Sequence, residues 1–178
     1  MSGIRARFFN RYTGWLDSPG TVLNMEQLRT MYKLMADPRL ADHMVEGDYV
    51  ILGVIPLGAV HAFVNDREIN SIEKAAGKRV LVLDFDPMQA DLASGLGATP
   101  VASDLANAGN KFNNGNVDVL IAPLAAFNFF ELYKGLSPKG GIIDLPIIYA
   151  SMQMVGRRDA IPNEAAQIIR EIMYGTFD

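Results

Sequence analysis

Gly77-Lys-Arg-Val-Leu-Val-Leu-Asp-Phe-Asp-Pro87 opens the stretch that decides the fold, and Val117-Asp-Val-Leu-Ile-Ala-Pro123 closes it. Between them lie a helical run, the extended phrase Thr99-Pro-Val-Ala-Ser103 and a second helical run. The order is strand, helix, strand, helix, strand. Val80-Leu-Val-Leu83 and Val119-Leu-Ile-Ala122 are short all-apolar runs, the pattern of strands covered on both faces in a parallel sheet. Ligands of such sheets sit beyond the carboxyl ends of the strands. Here those ends carry Asp84, Phe85 and Asp86, and later Ala122 and Pro123. Pro87 suits the first turn of a helix starting after Asp86, with Met88, Leu92 and Leu96 as its apolar face. Gly95-Leu-Gly97 is not a dinucleotide fingerprint, because it follows a helix and precedes a strand.

Working outward, Ile4–Phe9 alternates and reads as an edge strand carrying Arg5 and Arg7. Asp17-Ser-Pro-Gly20 reads as a turn. Asn24 caps a helix whose buried spacing is Met25, Leu28, Met31, Tyr32 and Met35, with Gln27 completing a capping box. Tyr49–Ile55 and Ala59–Val64 read as two strands separated by a turn at Pro56-Leu-Gly58, with His61 packed inside the second. Ile69–Ala76 reads as a short helix stopped by Gly77. Pro123–Tyr133 reads as a helix with an aromatic face of Phe127, Phe129, Phe130 and Tyr133. Ile142–Met154 reads as an extended crossing segment, and a last helix from Pro162 buries Ala166, Ile169, Ile172 and Met173.

The 178 residues suffice for one domain or two small ones, and 49% hydrophobic with 20% charged residues permits a packed core. The net charge is -4, without a Lys/Arg stripe, which argues against a nucleic-acid partner. There is no cysteine, so thiol catalysis, disulfides and Cys metal sites are excluded. His43 and His61 lack metal-like spacing, and no cofactor or metal is expected. No apolar run reaches the length of a membrane span. An export signal is expected to have been removed or to lie outside this sequence.

Two resemblances bear on function. Asp84-Phe-Asp86 after an apolar strand resembles the first motif of haloacid dehalogenase-type magnesium-dependent phosphatases, in which the first Asp is nucleophile and the second general acid. Pro87 and Met88 depart from that motif, and Asp118 stands alone at the start of its strand. A wider resemblance rests on Ala75-Ala-Gly-Lys-Arg-Val80, Gln89-Ala-Asp-Leu-Ala-Ser-Gly-Leu-Gly-Ala-Thr-Pro-Val101, Lys111-Phe-Asn-Asn-Gly-Asn-Val-Asp118 and Ala122-Pro123. In order and spacing these are similar to the second domain of periplasmic solute receptors of TRAP transporters. Tyr49-Val-Ile-Leu-Gly53, Pro56-Leu-Gly58 and Phe63-Val-Asn-Asp66 also resemble the solute-binding branch associated with RND-type transport systems.

The wider resemblance implies an α/β, type II periplasmic-binding-protein-like fold in two lobes. The first lobe is expected over 1–62 and 145–178, incomplete and including the hinge crossings; the second over 63–144. It implies a periplasmic, non-catalytic protein that binds a small solute and hands it to membrane transporter subunits. It places an arginine that grips a ligand carboxylate at Leu81, and an asparagine at Ala122, so this carboxylate clamp is absent. Candidate ligand-binding residues are Asp84, Phe85, Asp86, Gln89, Pro123 and Tyr149, with Asn10 and Tyr12 from the first lobe. Acidic and aromatic groups there suit a neutral or cationic solute. Asp84 and Asp86 serve equally as caps of the helix at Pro87. Arg5 and Arg7 remain possible anion partners. A non-catalytic interaction module built on the Phe127–Tyr133 face is a third reading.

Overall fold

A computed structural model describes residues 9–16 and 20–176. The expected strand residues 4–8, with Arg5 and Arg7, and Asp17-Ser-Pro19 of the expected turn lie outside the described residues. The chain divides into two compact units: residues 1–59 with 148–178, and residues 60–147.

The contiguous unit, 60–147, holds the decisive stretch. Strands β3 (Arg79–Leu83), β4 (Thr99–Ser103) and β5 (Val119–Pro123) alternate with helices α3 (Pro87–Gly95) and α4 (Leu105–Asn113). β3 runs parallel to both β4 and β5, with Leu83 opposite Ser103 and Val80 opposite Val119. The far half of β2 (Tyr49–Val64) runs antiparallel to β5, and the two-residue β6 (Gly141–Ile142) pairs antiparallel on its other side. The order across this unit is β6-β2-β5-β3-β4. Successive side chains enter opposite cores, as the pleat demands. Leu81, Leu120 and Phe63 join Phe112 and Leu132 on one face, while Val80, Val82, Val119, Ala62 and Val64 join Ala93 and Ala98 on the other. The β4 edge is blunted by Pro100, and by Lys111, whose ammonium donates to Ala102 O at 2.6 Å. Ile147 N–H donates to Val60 O at 2.8 Å, so the two ends of this unit lie side by side.

Asp118 ties the starts of β3 and β5 to the end of β2. It accepts from the Arg79 backbone N–H and Nε at 2.9 and 3.0 Å, from Arg79 Nη2 at 2.6 Å and from Asn65 Nδ2 at 3.2 Å. Hydrogen bonding from the Arg79 side chain holds the Asp118 carboxyl at about 2, below its ordinary 3.8. A depressed carboxyl pKa contributes stability that is complete above the unfolded value and is lost as pH falls through the folded one. The stability of this unit should therefore drop between about pH 4 and pH 2. In Asp118→Asn that share of the drop should vanish, with a neutral-pH loss of about 1–2 kcal/mol once solvent screening at the half-exposed Arg79 is allowed for. Urea melts of both proteins across that pH range measure it; parallel acid profiles would show that the ion pair contributes nothing.

The discontinuous unit contains α1 (Arg11–Gly14), α2 (Met25–Ala36), a 3-10 helix at Pro38–Met44, β1 (Val45–Glu46), the near half of β2, β7 (Ile148–Arg157) and α7 (Asn163–Gly175). β1 pairs antiparallel with β2, and β7 pairs with β2 as well. Arg158 N–H donates to Asp48 O at 3.0 Å. Asn24 caps α2 by accepting from Gln27 N–H at 2.9 Å, while Gln27 Oε1 reaches back to Leu23 N–H at 2.8 Å. Leu16, Leu28, Tyr32, Met35, Met44, Ile51 and Val54 form the main core.

Several expectations change. Pro56-Leu-Gly58 does not interrupt the chain between strands: β2 is continuous from Tyr49 to Val64. Proline and a glycine at φ +86° are accommodated inside it, as at an irregularity where a ladder donor is not needed. The helix expected over 69–76 is one 3-10 turn, Glu73–Ala75. The helix expected over 123–133 splits into α5 (Ala126–Phe129) and α6 (Tyr133–Leu136), because Pro123 belongs to β5 and Glu131 takes φ +51°. Phe127 and Phe130 pack on the core, whereas Phe129 is 80% exposed. On α3, Ala93 is buried and Met88, Leu92 and Leu96 are exposed, since the small side chains let that helix lie close on the sheet. On α7, Ile172 is 62% exposed and Arg170 is buried in its place.

Candidate functional site

In the contiguous unit, the chain leaves β3 to the β4 side and returns from β4 to β5 on the other side of β3. The neighbouring carboxyl ends of β3 and β5 are therefore a topological switch point. The loop after β3 is braced from within. Asp84 N–H donates to Ser103 O at 3.0 Å, and Asp86 N–H to Leu83 O at 2.9 Å. Asp86 is buried and caps α3: Oδ1 accepts from Met88 N–H at 3.1 Å and Oδ2 from Gln89 Nε2 at 3.3 Å. Gln89 Oε1 in turn accepts from Leu83 N–H at 3.0 Å. Of the two aspartates, then, Asp86 does the capping. Asp84 is exposed, and among the described residues nothing hydrogen-bonds its carboxylate. Phe85, between them, is half-buried.

At the end of β4, Asp104 caps α4, accepting from Asn107 N–H at 2.8 Å and from Asn107 Nδ2. These bonds hold the Asp104 carboxyl below its ordinary value, with Lys111 adding to the effect. Pro123 is half-buried at the end of β5, opposite Val60. Leu81 and Ala122 are core residues, so no cation stands at either strand position. His61 is buried, with Nδ1 2.9 Å from Ile143 O. Asp84, Phe85, Asp86 and Gln89 thus share one loop and helix start, with Pro123 on the adjacent strand end. Among the described residues no three His, Asp or Glu side chains are grouped to hold a metal ion. With Asp86 committed to its cap, the phosphatase reading gains no support.

The discontinuous unit places the other candidates. Asn10 is buried as the cap of α1, accepting from Thr13 N–H at 2.9 Å and donating to His43 O at 2.8 Å. Tyr12 stacks on His43 with ring centroids 4.8 Å apart. Tyr12 and Tyr149 both pack against the main core of this unit. Thr13 and Gln153, not singled out from the sequence, are buried partners: Thr13 Oγ1 donates to Gln153 Oε1 at 2.7 Å, and Gln153 Nε2 to Thr13 O at 3.1 Å. The usable signal was Ser151 and Gln153 alternating within an apolar run.

A family model described as "Solute-binding protein AdeT 1/2" matches residues 1–177. The chain belongs to this family. "Probable solute-binding protein AdeT1" of Acinetobacter baumannii is 44% identical over 162 residues, covering 91% of this chain and 53% of that protein. "Probable solute-binding protein AdeT2" of the same organism is 27% identical, covering 85% and 63%. The chain thus spans about half to two-thirds of the length of the AdeT relatives it matches. Among solved structures, a TRAP periplasmic solute-binding protein from Ralstonia eutropha with bound (S)-2-acetolactate superposes with TM-score 0.78 at 17% identity, covering 99% of this chain and 57% of that one. One from Xanthobacter autotrophicus with bound β-D-galacturonate gives 0.77 at 13%, covering 99% and 59%. These likenesses carry the fold, the mixed α/β fold of TRAP periplasmic receptors. The relatives and neighbours are solute-binding proteins, not enzymes. No helix among the described residues is long and apolar enough to cross a membrane.

Proposed function

We propose that this AdeT-family chain is part of an extracytoplasmic, periplasmic receptor that binds a small neutral or cationic solute and passes it to a membrane transporter, without chemistry. The observation that carries the ligand class is the exposed Asp84 carboxylate on a loop braced by Asp86 and Gln89, at a strand end where Leu81 is core. A carboxylate held ready on a rigid loop suits an ammonium group, and the Phe85 ring beside it suits the same cation. The receptors named above hold carboxylates, 2-acetolactate and galacturonate, so the departure is one of ligand charge. Pro123 completes the strand-end floor; Asn10, Tyr12 and Tyr149 are candidates within the discontinuous unit that rest on the sequence resemblance alone. An RND-type system is the transporter proposed from the sequence resemblance.

The test is a thermal-shift screen against amino acids, polyamines, sugars and organic acids, since a ligand of the folded state raises the melting temperature by mass action. A polyamine or cationic amino acid should raise it, and Asp84→Asn should bind that compound about tenfold more weakly, about 1.4 kcal/mol. A shift confined to organic acids, unchanged in Asp84→Asn, would overturn the ligand class while leaving a receptor.

A further inference from the structure

Asn114-Gly115 is the only Asn-Gly pair in the sequence. An asparagine followed by glycine is open to attack on its side chain by the next backbone nitrogen, because glycine has no Cβ to hinder the approach. The structure separates Asn114 from its neighbour. Asn113 is held at both ends of its amide: Nδ2 donates to Phe130 O at 2.9 Å, and Oδ1 accepts from Gly135 N–H at 3.1 Å. Asn114 and Gly115 are exposed, and among the described residues nothing hydrogen-bonds the Asn114 amide. The pair also closes α4. Asn114 is its C-cap, with ψ 4°, and Gly115 follows with φ +70°. Gly115 N–H donates to Phe112 O at 3.0 Å, and Asn116 N–H to Lys111 O at 2.9 Å. These are the two bonds of a Schellman motif.

The nitrogen that would attack is therefore already a donor within the cap. Substituents on Cα are spaced about a third of a turn apart, so bringing that nitrogen onto the side of the Asn114 side chain takes a rotation of that size away from ψ 4°. Such a rotation breaks both Schellman bonds. We infer that Asn114 is a self-modification site gated by this cap. When the cap opens, the Gly115 nitrogen gives up its proton and bonds to Asn114 Cγ. The Cγ–Nδ2 bond breaks, and Nδ2 leaves with that proton as ammonia, closing a succinimide. Water then opens the ring at either carbonyl, to aspartate or to isoaspartate. Both products place a carboxylate at a helix C-terminus, where the dipole disfavours it. Isoaspartate also adds a methylene to the main chain, which puts the Schellman bonds out of register. The loosened stretch leads directly into Asp118, the partner of Arg79.

The full chain is kept in mildly alkaline buffer, folded and in parallel unfolded in guanidinium chloride, and conversion of each asparagine is followed by peptide mapping with mass spectrometry. Asn114 should convert first in the unfolded chain, and at least about tenfold more slowly in the folded one, since two hydrogen bonds hold the cap shut. Low denaturant that leaves the fold intact should hardly change the folded rate, because opening one helix end exposes little surface. After ageing, the wild type should melt at a lower temperature than before, and Asn114→Gln should not. The inference is overturned if another asparagine converts first in the unfolded chain, if the two states convert equally fast, or if the folded chain does not convert. A folded rate that climbs steeply with low denaturant also overturns it, as does an aged Asn114→Gln that loses as much stability as the wild type. If Asn114→Gln does not fold, the wild-type rates decide alone.

Discussion

Replacing Phe112 by alanine should cost about 3–5 kcal/mol, a large share of the stability of a domain this size. Phe112 is fully buried at the centre of the α4 face of the sheet, among Phe63, Leu81, Leu120 and Leu132. Its ring lies so close on Gly135 that a Cβ there would come within 2.6 Å of Cδ1. Backbone and strands both fix the pocket, so it cannot collapse onto the void, and the cavity cost adds to the lost transfer energy. Urea unfolding followed by circular dichroism should show a lower midpoint with an unchanged slope. A loss under about 1 kcal/mol would mean that this core repacks freely.

Gly140→Ala should be comparably damaging for a different reason. A Cβ at this position would stand 2.4 Å from Val64 O, 2.7 Å from Leu136 O and 2.8 Å from Leu136 Cα. All three are backbone atoms, so no side chain can turn away to make room. Gly140 N–H also donates to Leu136 O at 2.6 Å, immediately before β6 pairs with Val64. Relief requires β6 to leave β2, with a loss of about 3 kcal/mol or more. Gly141→Ala is the control. Its Cβ would meet only Arg67 Cβ at 3.8 Å, and the melting temperature should hardly move. Equal melting of the two variants would contradict the packing described at Gly140.

The β3–α3–β4–α4–β5 unit was legible because β3 and β5 are largely buried and announce themselves as unbroken apolar runs. Thr99–Ser103 is a strand over its expected span, and β3 and β5 each extend one residue beyond their apolar cores. The elements that misled were those where tertiary pairing overrides local signals. Pro56 and Gly58 carry turn chemistry, yet the long β2 runs through them. Phe129 has the composition of a core residue but points outward once Glu131 breaks the helix. Leu92 and Leu96 outrank alanine in hydrophobicity, yet close helix-to-sheet packing selects Ala93.

At the site, the strand end bearing Asp84, Phe85 and Asp86 was legible from topology alone. The division of labour between the aspartates was also within reach, because a proline at the first helical position marks the residue before it as the cap. Thr13 and Gln153 meet across 140 residues, and Arg170 faces a carbonyl 119 residues away, so no local pattern signals either.

The hydrogen bond from Ile147 to Val60 has a consequence for assembly of the protein. Residues 60–147 form an uninterrupted segment whose entry and exit are already adjacent, so they can collapse without waiting for the rest of the chain. Once formed, that segment acts as a short-circuit. The flanking sequences then find each other across a clamped junction instead of a long floppy loop, and the entropy of closing that loop has already been met. Excised alone, residues 60–147 should refold quickly and cooperatively, whereas the flanks expressed without the insert should stay unfolded.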